Sequence, residues 1–236
     1  MSNYREMDQI FSIVLGPDRR AVAVAFRESV PLGVEKFSGS QPSGCSYWRL
    51  AAAGRVFCTV AADHYNCAIG SYTHNIELPE ERAPELDQTL ALMAGIGYLK
   101  MEEVPMIPRL QQAPAVVVYA PLRDTPVDPD VVLLMAPPGR IMLIQEAAQR
   151  AGVRTGAPLL GRPTCMSIPA AMAGGFVVST GCIGNRVYTD LREDDLYAVI
   201  PARDLAKIAG ALETIAAANS VLLEYHRGRR RELATE

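Results

Sequence analysis

The segment CMSIPAAMAGGFVVSTGCIG, residues 165–184, has a counterpart earlier in the chain, CSYWRLAAAGRVFCTVAADHYNCAIG, residues 45–70. Both begin with a cysteine, pass through an alanine-rich stretch to a glycine, and close on cysteine, isoleucine and glycine. In both, the glycine follows the first cysteine by nine residues, at Gly54 and Gly174. Because self-similarity is the sequence signature of a repeated structural unit, this pattern predicts two similar half-domains related by a pseudo-two-fold axis.

The match extends weakly upstream of the cysteine segments. AVAVAF, residues 21–26, resembles AVVVYA, residues 115–120, and both are short apolar runs typical of buried strands. The sequence therefore predicts one structural unit, 1–236, that contains an internal repeat of residues 18–104 and 113–236.

Candidate strands and helices alternate along the chain without a regular βαβ series. This pattern predicts an α/β (or α+β) fold with a mixed sheet and flanking helices. HYNCAIGSYTHN, residues 64–75, is interpreted as a turn-rich loop, and residues 203–233 are predicted to form one long amphipathic helix.

The composition narrows the class of protein. The chain has 236 residues, 49% of them apolar, and a net charge of −3, so a sizeable core is expected, while nucleic acid and anionic membranes are not expected partners. The N-terminus lacks the pattern of a signal peptide, and no apolar run is long enough to predict a membrane span. Five cysteines without an export signal indicate a cytoplasmic protein.

The repeated cysteines are the strongest candidates for chemistry. Cys45 and Cys165 are each predicted at a helix N-terminus, where the helix dipole and the free N–H groups favour thiolate. If the two halves bring their cysteines together, they would bind a metal ion or an iron–sulfur cluster. The predicted ligands are Cys45, Cys67, Cys165, Cys182 and His64.

Other functions remain open for the same segments. Polar or anionic parts of a ligand would be held by four side chains near the cysteines, Asn66, Arg49, Asn185 and Arg186. In one alternative, the chain is an enzyme that binds a small molecule in a cleft between the halves, with Cys45 or Cys165 as nucleophile and His64 as base. In another, the cysteines are buried core residues and the chain is a non-catalytic oligomerising protein.

Several of these segments resemble a known family. The CSYWRLAAAG helix, HYNCAIGS, RPTCMSIPAAMAGGFVVSTGCIGNR and DLYAVIPARDL are similar to a bacterial and archaeal family of uncharacterised proteins, the domain-of-unknown-function family numbered 169. The resemblance covers residues 20–225, and Cys45, Cys67, Cys165 and Cys182 fall where that family has its cysteines. It implies a single intact unit and no particular activity.

Overall fold

The computed structural model describes residues 3–156 and 160–234 of the chain. Within these residues, six strands form a single sheet in the order β2-β3-β1-β4-β6-β5. The strands are β1 (Val22–Arg27), β2 (Phe57–Val60), β3 (Val116–Pro121), β4 (Val131–Ala136), β5 (Val177–Ser179) and β6 (Leu196–Pro201).

The helices follow the local start and stop signals of the sequence. The first helix begins after Asn3, whose side chain accepts a hydrogen bond from the Glu6 amide, and it ends at Gly16. Two others have a proline in the first turn, where its missing N–H costs nothing. The helices are α1 (Tyr4–Leu15), α2 (Gly44–Ala52), α3 (Ala68–Thr73), α4 (Pro84–Gly95), α5 (Pro138–Arg150), α6 (Ser167–Gly174), α7 (Ile183–Thr189) and α8 (Ala202–Leu233).

The sheet confirms the predicted α/β (or α+β) class. Each ladder between neighbouring strands is antiparallel, and isolated parallel bridges join connecting segments to strands, such as Lys36 to Cys58. Outward from the central β1–β4 pair, β3 and β2 follow on one side and β6 and β5 on the other. In this order β3 groups with β1 and β2, although it lies within the predicted second repeat. The repeat and its pseudo-two-fold axis stay predictions.

Side chains point alternately to the two faces of the sheet along each strand, so the core is divided between these faces. In β6, Ala198 and Ile200 pack with α1, α5 and α8, whereas Tyr197 and Val199 pack with α2 and α6. This period of two follows from the pleat of a strand, which points successive side chains to opposite faces. The face covered by α2 and α6 is the one on which the candidate site lies.

Candidate functional site

A cavity of about 570 Å³ lies beside the core of the α2–α6 face. Its inner wall comes from the turn into α2, the start of α3, and the segments that lead into α6 and α7. Its outer wall comes from α4 and the chain that follows it as far as Pro108. Most of the lining side chains are apolar, and all four cysteines of the repeated segments are among them.

Two of these cysteines are buried against the core. Cys45 is the second residue of α2, and Cys165 lies in a short 3-10 turn, Thr164–Met166, directly before α6. Each is 6% exposed. Their predicted positions at helix N-termini are therefore correct, and both residues line the cavity while being largely shielded from water.

The other two cysteines occupy matching positions on α3 and α7. Cys67 is the N-cap residue of α3, and its sulfur accepts a hydrogen bond from the Gly70 amide at 3.3 Å. Cys182 is the N-cap of α7 and accepts from the Asn185 amide at 3.5 Å. The interpretation of residues 64–75 as a loop is wrong, because Ala68–Thr73 form the helix α3. The hydrogen bond from the Gly70 amide to the Cys67 sulfur caps the start of this helix.

Burial favours the protonated form of Cys45, Cys67 and Cys165. It raises the pKa of Cys45 to about 12 and the pKa of Cys165 well above its ordinary value. The pKa of Cys67 is also raised, because the effect of burial exceeds the opposite effect of the hydrogen bond from the Gly70 amide. Charge repulsion between neighbouring thiolates would oppose the ionisation of a second cysteine and adds to the increase in each pKa. The expectation that helix N-termini favour thiolates at Cys45 and Cys165 is therefore wrong, because lost solvation outweighs the helix dipole.

The predicted metal or iron–sulfur centre is also wrong. Across residues 3–156 and 160–234, no group of three or more histidine, cysteine, aspartate or glutamate side chains is arranged to hold a metal ion. Sharing a cavity wall does not bring the four sulfurs to a common centre.

His64 lies behind the cavity wall and does not join the cysteines. It is 3% exposed, and its Nε2 lies 2.8 Å from the hydroxyl of Thr59. Its ring also stacks on His74 with centroids 6.0 Å apart. Burial, and then the proximity of His74, lowers the pKa of His64 to about 3. His64 is therefore a neutral core residue, neither a metal ligand nor the base for a cavity cysteine.

The two predicted asparagines line the cavity at different depths. Asn66 is at the exposed rim, where its Nδ2 donates to the Ser40 hydroxyl at 2.8 Å. Asn185 is 1% exposed, and its Nδ2 donates to the hydroxyl of Tyr197 at 3.2 Å. The Oδ1 of Asn185 has no hydrogen-bond partner within the described parts of the chain.

The two predicted arginines contribute to the framework around the site. Arg49 forms an ion pair with Asp190, and both side chains are mainly exposed. Arg186 donates to backbone carbonyls, among them that of Arg192 at 2.8 Å. Neither guanidinium lines the cavity.

The sequence did not indicate the residues that form the outer wall of the cavity. Met93 and Tyr98 line it from α4 and the turn after it, and Glu103 and Arg162 form an ion pair of 3.3 Å at its rim. Arg162 also lies over the ring of Tyr98, 4.6 Å from its centroid. The proline and acidic residues at the start of α4 are typical of a helix N-terminus, but that pattern carries no signal for which side chains of the helix face a cavity.

Comparison with known proteins agrees with the resemblance seen in the sequence. A family model, DUF169, described as "Uncharacterised ArCR, COG2043", matches residues 11–211. The chain is 26% identical over 208 residues to the uncharacterized protein MJ0308 of Methanocaldococcus jannaschii, covering 83% of this chain and 88% of that protein. No solved structure matches the chain. Because the matched residues include both cysteine segments and most of the fold, the chain belongs to the DUF169 family.

Proposed function

We propose that this protein binds a small, largely apolar organic molecule in the thiol-lined cavity. The observation that carries the proposal is the cavity of about 570 Å³, whose lining is mainly apolar with a few polar groups. Ligand pockets typically enclose 300–1,000 Å³ and combine such a lining with a few polar groups that orient the ligand. We also propose the cytosol as its location, because all five cysteines are free.

The state of the thiols supports binding over covalent chemistry. A protonated, buried cysteine behaves as a small apolar side chain with a weak S–H donor. Cys45 and Cys165 therefore present polarisable, nearly neutral surface to a ligand. A nucleophile would need the thiolate form, which burial disfavours at both residues by raising the pKa of each.

Polar groups at the rim would orient the ligand. Glu103 and Arg162 both line the cavity and form an ion pair of 3.3 Å. Their side chains are each 42% exposed, so they would contact a polar end of the ligand that reaches solvent.

The fluorescent probe 1-aminoanthracene tests the proposal, because it is apolar, carries an N–H donor and brightens in apolar sites. We expect it to bind to the wild-type protein with one molecule per chain. Met93→Trp fills space on the cavity wall and should weaken binding about tenfold or more, a loss of about 1.4 kcal/mol. Leu92→Trp is the matched control, because Leu92 is the preceding residue of α4, is 65% exposed and lies outside the lining.

The outcomes separate clearly. Saturable binding that Met93→Trp weakens and Leu92→Trp leaves unchanged supports the proposal. Absence of saturable binding, or equal loss in both variants, overturns it. Thermal unfolding of both variants establishes that any loss of binding comes from a filled cavity in a folded protein.

A further inference from the structure

The outer wall of the cavity comes from one continuous stretch of chain, residues 77–108, here called the outer-wall segment. It contains α4, and side chains along it line the cavity as far as Pro108. Of these residues, all of them described by the structure, only Leu90 is buried. The inner wall includes residues of the core such as Cys45 and Met166. Because local stability follows buried apolar contact, the outer wall is held less firmly than the inner wall.

The two ends of the outer-wall segment are fastened to each other at one place. The Leu110 amide donates to the Thr73 carbonyl at 2.9 Å, close to the point where the segment leaves the body. Arg109 donates to the Tyr72 carbonyl at 2.9 Å and to the Asn75 side chain at 2.6 Å. Its guanidinium also lies over the Tyr72 ring, 4.2 Å from the centroid. These contacts form a narrow base on which the segment can turn.

Beyond this base, side-chain contacts hold the segment to the body. Within the described chain, the backbone hydrogen bonds of residues 77–108 all stay inside the segment, so no strand pairing fixes it. Arg82 donates to the Oδ1 of Asn66 at 3.1 Å, and the Tyr72 hydroxyl donates to the Val104 carbonyl at 3.3 Å. Such contacts can break without disturbing the sheet or its covering helices.

The strongest polar connection to the inner wall is made by Arg162, which lies in the chain that leads into α6. Its Nη2 lies 3.3 Å from the Oε2 of Glu103, and its guanidinium lies 4.6 Å from the centroid of the Tyr98 ring. Both charged side chains are 42% exposed, so water competes with the ion pair and the pair stabilises the contact only weakly. The far side of the segment is therefore closed by contacts that are easily broken.

We propose that the outer-wall segment is a hinged lid, which opens at the Glu103–Arg162 pair and admits a ligand to the cavity. A base of a few residues and weak contacts elsewhere are what a hinged closure requires. The role in admitting a ligand rests on the proposed function, whereas the movement itself does not. A ligand that contacts both walls would favour the closed position, because it binds that position better than the open one.

Alkylation by iodoacetamide at pH 7.5 measures the opening without any ligand. Cys45 and Cys165 line the cavity and are each 6% exposed, so the reagent should reach them faster when the lid opens. Glu103→Arg replaces an attraction to Arg162 by a repulsion and should speed their labelling about fivefold. Cys58 is the internal control, because it is fully buried in β2 and lies outside the lining. Its labelling should not change.

Reversal of the charges provides the rescue. Glu103→Arg combined with Arg162→Glu restores an opposite pair, and labelling should return most of the way to the wild-type rate. Asp194→Arg is the matched control, because it breaks an exposed ion pair with Arg192 outside the cavity lining. The proposal is overturned if Glu103→Arg has no effect, if Asp194→Arg has an equal effect, or if Cys58 is labelled faster together with the cavity cysteines.

Stopped-flow binding of 1-aminoanthracene separates the lid from the proposed function. The probe should bind faster to Glu103→Arg than to the wild-type protein, and bound probe should slow the labelling of Cys45 and Cys165. If labelling responds to the ion pair but the probe does not bind, the movement is supported and the proposed function fails. If the probe binds but labelling ignores the ion pair, the lid fails and the proposed function stands.

Hydrogen exchange of the α4 amides tests the hinge itself. A hinged lid keeps the internal hydrogen bonds of its helix while it moves. The α4 amides should therefore exchange at the same rate in Glu103→Arg and in the wild-type protein. Faster exchange in the variant would show that the segment unfolds instead of turning on its base, and it would overturn the hinge.

Discussion

Cys67 and Cys182 perform the same structural task at two places in the fold. Each is the residue before a short helix, and each sulfur accepts the backbone N–H three residues later, at 3.3 Å from Gly70 and 3.5 Å from Asn185. A sulfur cap is uncommon beside the usual serine, threonine, aspartate and asparagine. The two cysteines thus fix the starts of α3 and α7 while lining the cavity.

The sulfur caps predict that two substitutions of the same cysteine differ in their effect on stability. Cys67→Ser keeps an acceptor for the Gly70 amide, so it should change the free energy of unfolding little. Cys67→Val removes the acceptor and should cost about 1 kcal/mol, the usual value of a lost N-cap. Urea denaturation measures both variants. The same pair at Cys182 repeats the test, and equal stability of the serine and valine variants would show that the sulfur does not act as a cap.

The buried thiols predict slow alkylation at neutral pH. Because burial raises the pKa of Cys45 to about 12, its reactive thiolate is scarce at pH 7.5, and labelling by iodoacetamide should speed up as the pH rises. Peptide mass spectrometry measures the rate at each cysteine, and the urea-unfolded chain serves as the fully reactive control. Fast labelling of Cys45 at pH 7.5 in the folded protein would contradict the prediction.

The same pKa shift predicts a loss of stability in alkali. The unfolded thiol ionises near its ordinary pKa of 9.0, whereas the folded Cys45 holds its proton to about 12. The unfolded state therefore binds fewer protons above pH 9, and stability should fall between pH 9 and 12. For a group shifted in this way the slope is about 1.4 kcal/mol per pH unit. Cys45→Ala should reduce the slope in pH-dependent urea denaturation, and an unchanged slope would contradict this origin.

The lowered pKa of His64 predicts a loss of stability in acid. Its folded pKa is lowered to about 3 from an ordinary value of 6.5, chiefly by burial, so the unfolded state binds more protons between these values. Stability should be intact above pH 6.5 and fall as the pH drops toward 3, by about 1.4 kcal/mol per unit for this group. His64→Gln removes the titration and should flatten the acid limb. His226→Gln, on the exposed end of α8, is the control and should leave the limb unchanged.

The backbone conformation of Gly175 predicts that a side chain at this position destabilises the fold. It ends α6 with a φ of +103°, and a Cβ there would collide with the carbonyl oxygen of Arg154. Gly175→Ala should therefore cost about 3 kcal/mol or more. Gly139→Ala is the control, because that glycine lies in α5 with open space around it. It should stabilise the helix by about 0.5–1 kcal/mol, as measured by urea denaturation.

Sequence patterns predicted most of the secondary structure. The apolar runs at residues 21–26 and 115–120 form β1 and β3, and the amphipathic pattern after residue 202 forms α8. The helix at α3 was missed. A helix of six residues has too little periodicity to stand out, and its cap is a cysteine, a residue that ordinarily gives no N-cap signal.

The candidate site was predicted in part. Six of the nine predicted site residues line the cavity, namely Cys45, Asn66, Cys67, Cys165, Cys182 and Asn185. The metal-binding and thiolate chemistry of the cysteines was predicted wrongly, because the sequence shows a thiol at a helix start but not the burial that raises the pKa of Cys45 and Cys165. His64 was placed near Cys67 by sequence distance, yet its imidazole turns toward Thr59 in the core.

The sequence by itself determined the strands β1 and β3 and the long helix α8, because apolar periodicity, like capping residues and prolines, acts over a few neighbouring positions. It also determined that the two cysteine segments resemble each other. Only the tertiary structure decided that α4 closes the outer wall of the cavity and that Cys45 and Cys165 lie out of water. Solvation and packing depend on residues distant along the chain, and these set the protonation of a thiol more strongly than its place in a helix does.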